Sequence, residues 1–167
     1  IYGEAMCLNS GLPVTIIRPH NFYGPRMGMS HVIPELMKKI INEDTNQLDV
    51  YSINHMRTFC YIDDAVEMIQ KLAESKNTIG KQYNVGNDDE EIKIGDLAKK
   101  IIQLIGKDIT INPLKAKWGS PERRCPSMRK LKEDIDFNRK HNLNKGLKET
   151  YNWYSKNIFS GKEQSAI

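Results

Sequence analysis

The chain is short of most features that would settle its class at once. It has three cysteines, Cys7, Cys60 and Cys125. They lie far apart and outside any Cys-x-x-Cys spacing, so a disulfide-stapled class is excluded and the thiols read as reduced, as in a cytoplasmic protein. The four histidines, His20, His31, His55 and His141, form neither an i,i+4 pair nor a His-Glu-x-x-His arrangement, and no metal site is expected. Long apolar runs are missing too: nothing approaches a membrane span, and Glu4 interrupts any signal-peptide pattern. Nor are there blocks of one charge. The formal net charge is +4, with Lys and Arg spread among Asp and Glu, which suits a solvated surface and gives no reason to expect a nucleic-acid or membrane partner. Internal repeats and low-complexity segments are absent.

What is present is enough apolar material for a core: 167 residues, 39% of them hydrophobic, suit one domain or a domain plus part of another. The start, Ile1-Tyr2-Gly3-Glu4-Ala5-Met6-Cys7-Leu8, reads as a helix already under way, so a piece of a longer protein is expected. That helix, closed by Gly11 and Pro13, runs into the β-branched run Val14-Thr15-Ile16-Ile17, half of a βαβ unit. Next comes Arg18-Pro19-His20-Asn21-Phe22-Tyr23-Gly24-Pro25-Arg26, polar residues where a strand ends and a loop begins. In an open α/β sheet this is where ligands bind, and Asn or Arg there suits phosphate or hydroxyl groups. A turn with an arginine packed on strand ends fits the same spacing.

A helix is predicted over 33–41 with Pro34 in its first turn, leaving the backbone N–H groups near Val32 and Ile33 for an anion, a base or water. A strand over 48–51 leads through Ser52-Ile53-Asn54-His55 to a second strand over 57–62, and Asp63 is expected to cap the helix that follows. Arg57 beside that loop suits a surface salt bridge, and its position is also open to an anion. Further on, a strand over 82–85 precedes an amphipathic helix over 97–105, with Leu97, Ile101, Ile102 and Ile105 on one face, and a short strand over 109–111. The segment 118–127 reads as a stiff, proline-bearing loop carrying Arg123 and Arg124, with Ser127 capping a helix over 128–135. A last helix covers 143–153.

The order of these motifs resembles the C-terminal part of extended short-chain dehydrogenase/reductases, the NAD-dependent nucleotide-sugar epimerase/dehydratase family. The resemblance runs from residue 1 to about residue 158 and rests on four signals together: the Arg18 to Arg26 stretch, Arg57-Thr58-Phe59-Cys60-Tyr61-Ile62-Asp63-Asp64, Tyr83-Asn84-Val85-Gly86-Asn87, and Arg123-Arg124-Cys125-Pro126-Ser127 with Gly146-Leu147-Lys148-Glu149-Thr150. It implies an α/β fold: the end of a Rossmann-like parallel sheet (1–25) plus a smaller mixed α/β substrate-binding domain (26–158). Elements over about 58–87 would return to the Rossmann sheet, with a mobile tail over 159–167.

The resemblance also implies roles. Asn21 would contact the diphosphate or sugar of an NDP-sugar. Pro19 and His20 would pass the nicotinamide end of NAD. The Val32 and Ile33 backbone would meet the base, Tyr51 would pack on it, and Arg57 and Arg124 would converge on diphosphate and ribose, with Arg123 an adjacent candidate. Forked, permanently charged guanidinium groups suit such a diphosphate. Two departures stand out. Ser52-Ile53-Asn54-His55 replaces a glycine-containing turn, so the loop before Arg57 is expected to be reshaped, and Ser127 replaces a usual Asp. The glycine-rich dinucleotide loop and the catalytic Ser and Tyr-x-x-x-Lys would lie upstream. The full-length parent would transiently oxidise a sugar carbon, in the cytoplasm and as a homodimer, while this segment alone would be inactive. A same-fold dehydrogenase or reductase on a non-nucleotide substrate, or a non-catalytic binding module, would share these motifs.

Overall fold

The β-branched run after Pro13 does become a strand, two residues later than it starts, because the Val14 N–H first closes a tight turn onto the Leu12 carbonyl. The computed structural model describes residues 2–42, 46–116 and 118–160. Its elements are α1 (Tyr2–Leu8), β1 (Ile16–Pro19), β2 (Phe22–Tyr23), α2 (Val32–Asn42), β3 (Gln47–Tyr51), β4 (Met56–Arg57), β5 (Cys60–Tyr61), α3 (Ile62–Glu74), β6 (Gln82–Val85), β7 (Ile92–Lys93), α4 (Ile94–Ile105), β8 (Thr110–Leu114), β9 (Arg123–Arg124), α5 (Arg129–Asp134) and α6 (Leu143–Tyr154). A short 3₁₀ turn, Lys76–Thr78, lies between α3 and β6, and a π turn, Ser155–Phe159, follows α6.

Three strand pairs are parallel: β1 with β6, β2 with β5, and β3 with β8. A fourth, three-stranded sheet places β4 between antiparallel β7 and parallel β9. This is the mixed α/β class expected from the sequence.

Two hydrophobic cores follow from the periodicities. In α2, Ile33, Leu36, Met37 and Ile40 recur at helical spacing and are buried, while β3 alternates so that Leu48 and Val50 point inward. With Leu97, Ala98 and Ile101 of α4 and Leu143 and Leu147 of α6 they make the first core. The second joins Ala65, Met68 and Leu72 of α3, Tyr83 and Val85 of β6, and Leu131 of α5. Burying each such aliphatic side chain contributes roughly 1.5–3 kcal/mol. Successive residues of a strand face opposite ways, and β5 uses this to join the two cores: Cys60 enters the second and Tyr61 the first.

Four local expectations need correction. The predicted strand over 57–62 is two separate strands, β4 and β5, because Arg57 pairs with Ile92 and Arg124 whereas Cys60 pairs with Phe22 in another sheet. Asp63 is not the cap of α3: the helix starts at Ile62 after Tyr61, and no side chain caps it. Ser127 does not cap α5; the Met128 N–H that opens this turn donates to Asp88 Oδ2. The proline-bearing loop contains the strand β9, drawn straight by the Met56 N–H bonding to the Glu122 carbonyl. Of the tail expected over 159–167, residues 161–167 lie outside the described residues. No helix among the described residues is long and apolar enough to cross a membrane.

Candidate substrate-binding site

The loop between β1 and β2 is shaped by close approach. A Cβ on Gly86 would lie 2.9 Å from His20 Cβ and 3.1 Å from Pro126 Cγ, so the absence of a side chain there lets the end of β6, His20 and the 123–127 segment meet. His20 N–H donates to the Val85 carbonyl at 2.8 Å, extending the β1–β6 ladder by one residue. Pro19 is exposed and His20 half-buried at the carboxyl end of this parallel pair.

Asn21 then turns the chain with φ 45°, a left-handed conformation that Asn tolerates better than most residues. Its Nδ2 donates to the Thr58 carbonyl at 2.9 Å, and its own carbonyl accepts from the Cys60 N–H at 3.1 Å. The Thr58 N–H donates in turn to the Arg124 carbonyl. Asn21, the segment around Thr58, and Arg124 are thus stitched together by consecutive hydrogen bonds.

Register fixes which arginine joins them. Arg57 is the partner of Arg124 and Met56 of Arg123 in the parallel β4–β9 pair, so Arg57 and Arg124 share one face and Arg123 takes the other. Arg123 is engaged there by Glu91, Nε to Oε1 at 2.7 Å. Arg124 is exposed. Burial, and after it the neighbouring Arg124 charge, pulls the Arg57 guanidinium below its ordinary pKa; an arginine stays protonated in proteins even so. Two permanent cations side by side form a place for a multivalent anion.

Arg57 is held in plane by the protein. Nη1 donates to the carbonyls of Met56 (2.8 Å) and Glu122 (3.4 Å), and Nη2 donates to the Pro121 carbonyl (2.8 Å) and Ser120 Oγ (3.4 Å). Ser120 Oγ also lies 3.3 Å from Nδ1 of buried His55. The turn carrying His55 has a definite shape: Ser52 adopts φ 56°, the His55 N–H closes onto the Ser52 carbonyl, and the Ile53 and His55 carbonyls accept the Gly95 and Ile94 N–H groups at the start of α4.

The remaining expected residues lie on neighbouring elements. Tyr51 ends β3 half-exposed, its register partner being Leu114 of β8. Val32 and Ile33 open α2; Ile33 is fully buried in the first core and Val32 packs against it, which leaves their backbone N–H groups as what they could offer a ligand. The sequence reading missed Glu91, which pairs with Arg123, and the Ser120–Pro121–Glu122 cradle of Arg57. Only the charge of Glu91 and the kinked composition of 118–122 hinted at either. Among the described residues no three His, Cys, Asp or Glu side chains gather as a metal site.

Comparison with known proteins agrees with the fold. The model of the NAD dependent epimerase/dehydratase family matches residues 1–86. A UDP-N-acetyl-alpha-D-glucosaminuronate decarboxylase of Bacillus cytotoxicus is 34% identical over 165 residues, covering 90% of this chain and 50% of the relative. UDP-glucuronic acid decarboxylase 1 of Xenopus tropicalis is 30% identical over 162 residues, 93% of this chain and 37% of the relative. Among solved structures, UDP-glucuronic acid 4-epimerase from Bacillus cereus, in complex with UDP-glucuronic acid and NAD, superposes with a TM-score of 0.82 at 27% identity, covering 92% of this chain and 50% of the other. The dTDP-glucose 4,6-dehydratase of Bacillus anthracis, in complex with NAD, gives 0.80 at 26% identity, with 93% and 49% covered. The chain therefore spans half or less of the length of these relatives.

Proposed function

This chain belongs to the NAD dependent epimerase/dehydratase family, and from that premise we propose that it is the nucleotide-sugar-binding half of an enzyme that transiently oxidises a sugar carbon of an NDP-sugar. The observation that carries the proposal is the in-register pairing of Arg57 with Arg124, stitched through Thr58 to Asn21. Arg57 and Arg124 take the diphosphate, Asn21 the diphosphate or sugar, the Val32 and Ile33 backbone and Tyr51 the base. Arg123, bound to Glu91, serves as a spacer of the loop.

NAD would supply hydride acceptance and return. Exposed Pro19 and half-buried His20, at the carboxyl end of a parallel pair, fit an edge contact with the nicotinamide rather than a grip on the dinucleotide. The sequence has no Gly-x-Gly, and none of its seven tyrosines is followed four residues later by lysine. These 167 residues by themselves therefore bind without turning over. Residues 1–25, with β6 beside β1, act as the end of the dinucleotide-binding sheet, and the first core as the substrate domain. The full-length enzyme acts as a cytoplasmic homodimer without nucleic-acid or membrane partners, a placement supported by three free thiols.

Calorimetric titration with UDP tests the reading. Arg57→Ala and Arg124→Ala should each weaken UDP binding by at least tenfold, roughly 1.4 kcal/mol or more. Unchanged affinity in both variants would overturn the nucleotide-sugar assignment in favour of a non-nucleotide substrate. Epimerase, dehydratase or decarboxylase turnover by the chain alone would overturn its role as a binding half.

A further inference from the structure

No described aromatic side chain is more exposed than Trp118, at 103% of its reference area. It is not at a fraying end. Upstream, β8 finishes at Leu114, the register partner of Tyr51. Downstream, Gly119 turns in the left-handed region with φ 79°, and Ser120 and Pro121 are bonded to the Arg57 guanidinium. The indole is therefore carried on a short bridge between the residue beside Tyr51 and the residues that hold Arg57. Two residues of chain span at most roughly 7 Å, so the Trp118 backbone stays within that distance of Ser120. A large rigid ring kept wholly in water, two residues along the chain from Ser120 of the Arg57 cradle, has the composition of a stacking platform for a base whose phosphates are held electrostatically.

We infer that Trp118 stacks on the nucleobase of a bound nucleoside diphosphate, on the same side of the site as Tyr51, with Arg57 and Arg124 holding the phosphates. This rests on the nucleotide-sugar reading above. The aromatic face makes the contact tolerant of base identity and sensitive to the presence of a base, because stacking needs a π surface and no particular hydrogen-bond pattern.

The chain has two tryptophans, so Trp153→Phe leaves Trp118 as the sole indole reporter. Addition of UDP to that variant should quench its emission, and inorganic pyrophosphate should not. By calorimetry, Trp118→Ala should weaken UDP about tenfold and leave pyrophosphate affinity unchanged, Trp118→Phe should recover most of the loss, and Arg57→Ala should weaken both ligands. Because Trp118 is fully exposed, its own variants keep the fold. If Trp118→Ala binds UDP as well as the unaltered chain while Arg57→Ala does not, stacking is wrong and the diphosphate reading stands. If Trp118→Ala weakens UDP and pyrophosphate equally, the indole acts through its loop and stacking is again wrong. If the unaltered chain binds no UDP, both fall together.

Discussion

Replacing Asp64 with alanine should unfold the junction between the two cores. Asp64 is 2% exposed in the first turn of α3. Its carboxylate accepts from the Lys140 N–H (3.2 Å), the His141 N–H (3.0 Å) and His141 Nδ1 (3.0 Å). The His141 ring lies 4.4 Å from that of Tyr61, and its Nε2 faces Glu149 of α6 at 3.5 Å. One carboxylate thus ties the start of α3 to the 140–141 segment and, through the imidazole, to α6. Truncation leaves two backbone donors without an acceptor, at about 1–3 kcal/mol each, and frees the imidazole. The expected cost is about 4 kcal/mol, the middle of the range for two such donors. For a domain of this size that lowers Tm by roughly 10 °C. Urea unfolding with an unchanged slope would measure it. Asp63→Ala, one residue earlier and exposed, is the control and should cost no more than about 1 kcal/mol, the helix-dipole contribution. A loss below about 1 kcal/mol for Asp64→Ala, or equal losses for the two, would refute the reasoning.

Other perturbations probe different parts of the fold. An ideal Cβ on Gly146 would sit 2.1 Å from Tyr23 Oη and 2.9 Å from the Tyr61 ring, both buried, so Gly146→Ala should destabilise by about 1–3 kcal/mol in thermal unfolding despite its better helix propensity. Burial, aided by the Asp64 charge, pushes the Cys60 thiol up to about 12; thiol reagents at pH 8 should label exposed Cys7 quickly and Cys60 only after denaturation. The Tyr83 hydroxyl, then Lys81, holds the Asp134 carboxyl below its ordinary 3.8. A depressed carboxyl pKa adds stability above the unfolded value and loses it as pH falls through the folded one. Asp134→Asn should therefore lower stability at neutral pH and flatten the fall in stability below pH 3.8.

Periodicity made the inward faces legible. The alternation in Gln47–Tyr51 and the Leu97, Ile101 spacing of α4 correspond to buried positions, because burial on one face is a local property of a regular element. Caps were not legible. Asp63 and Ser127 are good cap residues by type, yet the donor at the start of α5 is met by Asp88, forty residues earlier in the chain, and no local rule encodes that. The split of 57–62 into β4 and β5 has the same origin: alternation shows that a segment is extended and says nothing of which neighbours it pairs with. At the site, the resemblance drew attention to both Arg123 and Arg124, but only register with β4 and the distant Glu91 separate them.

The way Arg57 is fastened has an entropic consequence. A long side chain ordinarily gives up its rotamers when a ligand arrives, at roughly 0.5–1.5 kcal/mol per residue. Here the guanidinium has already been immobilised by the Met56, Pro121 and Glu122 carbonyls, so that loss belongs to folding and an incoming anion meets a positive charge already fixed in place. Lysine at position 57 would keep the positive charge but forfeit the planar anchoring, and each encounter would have to order a flexible ammonium afresh.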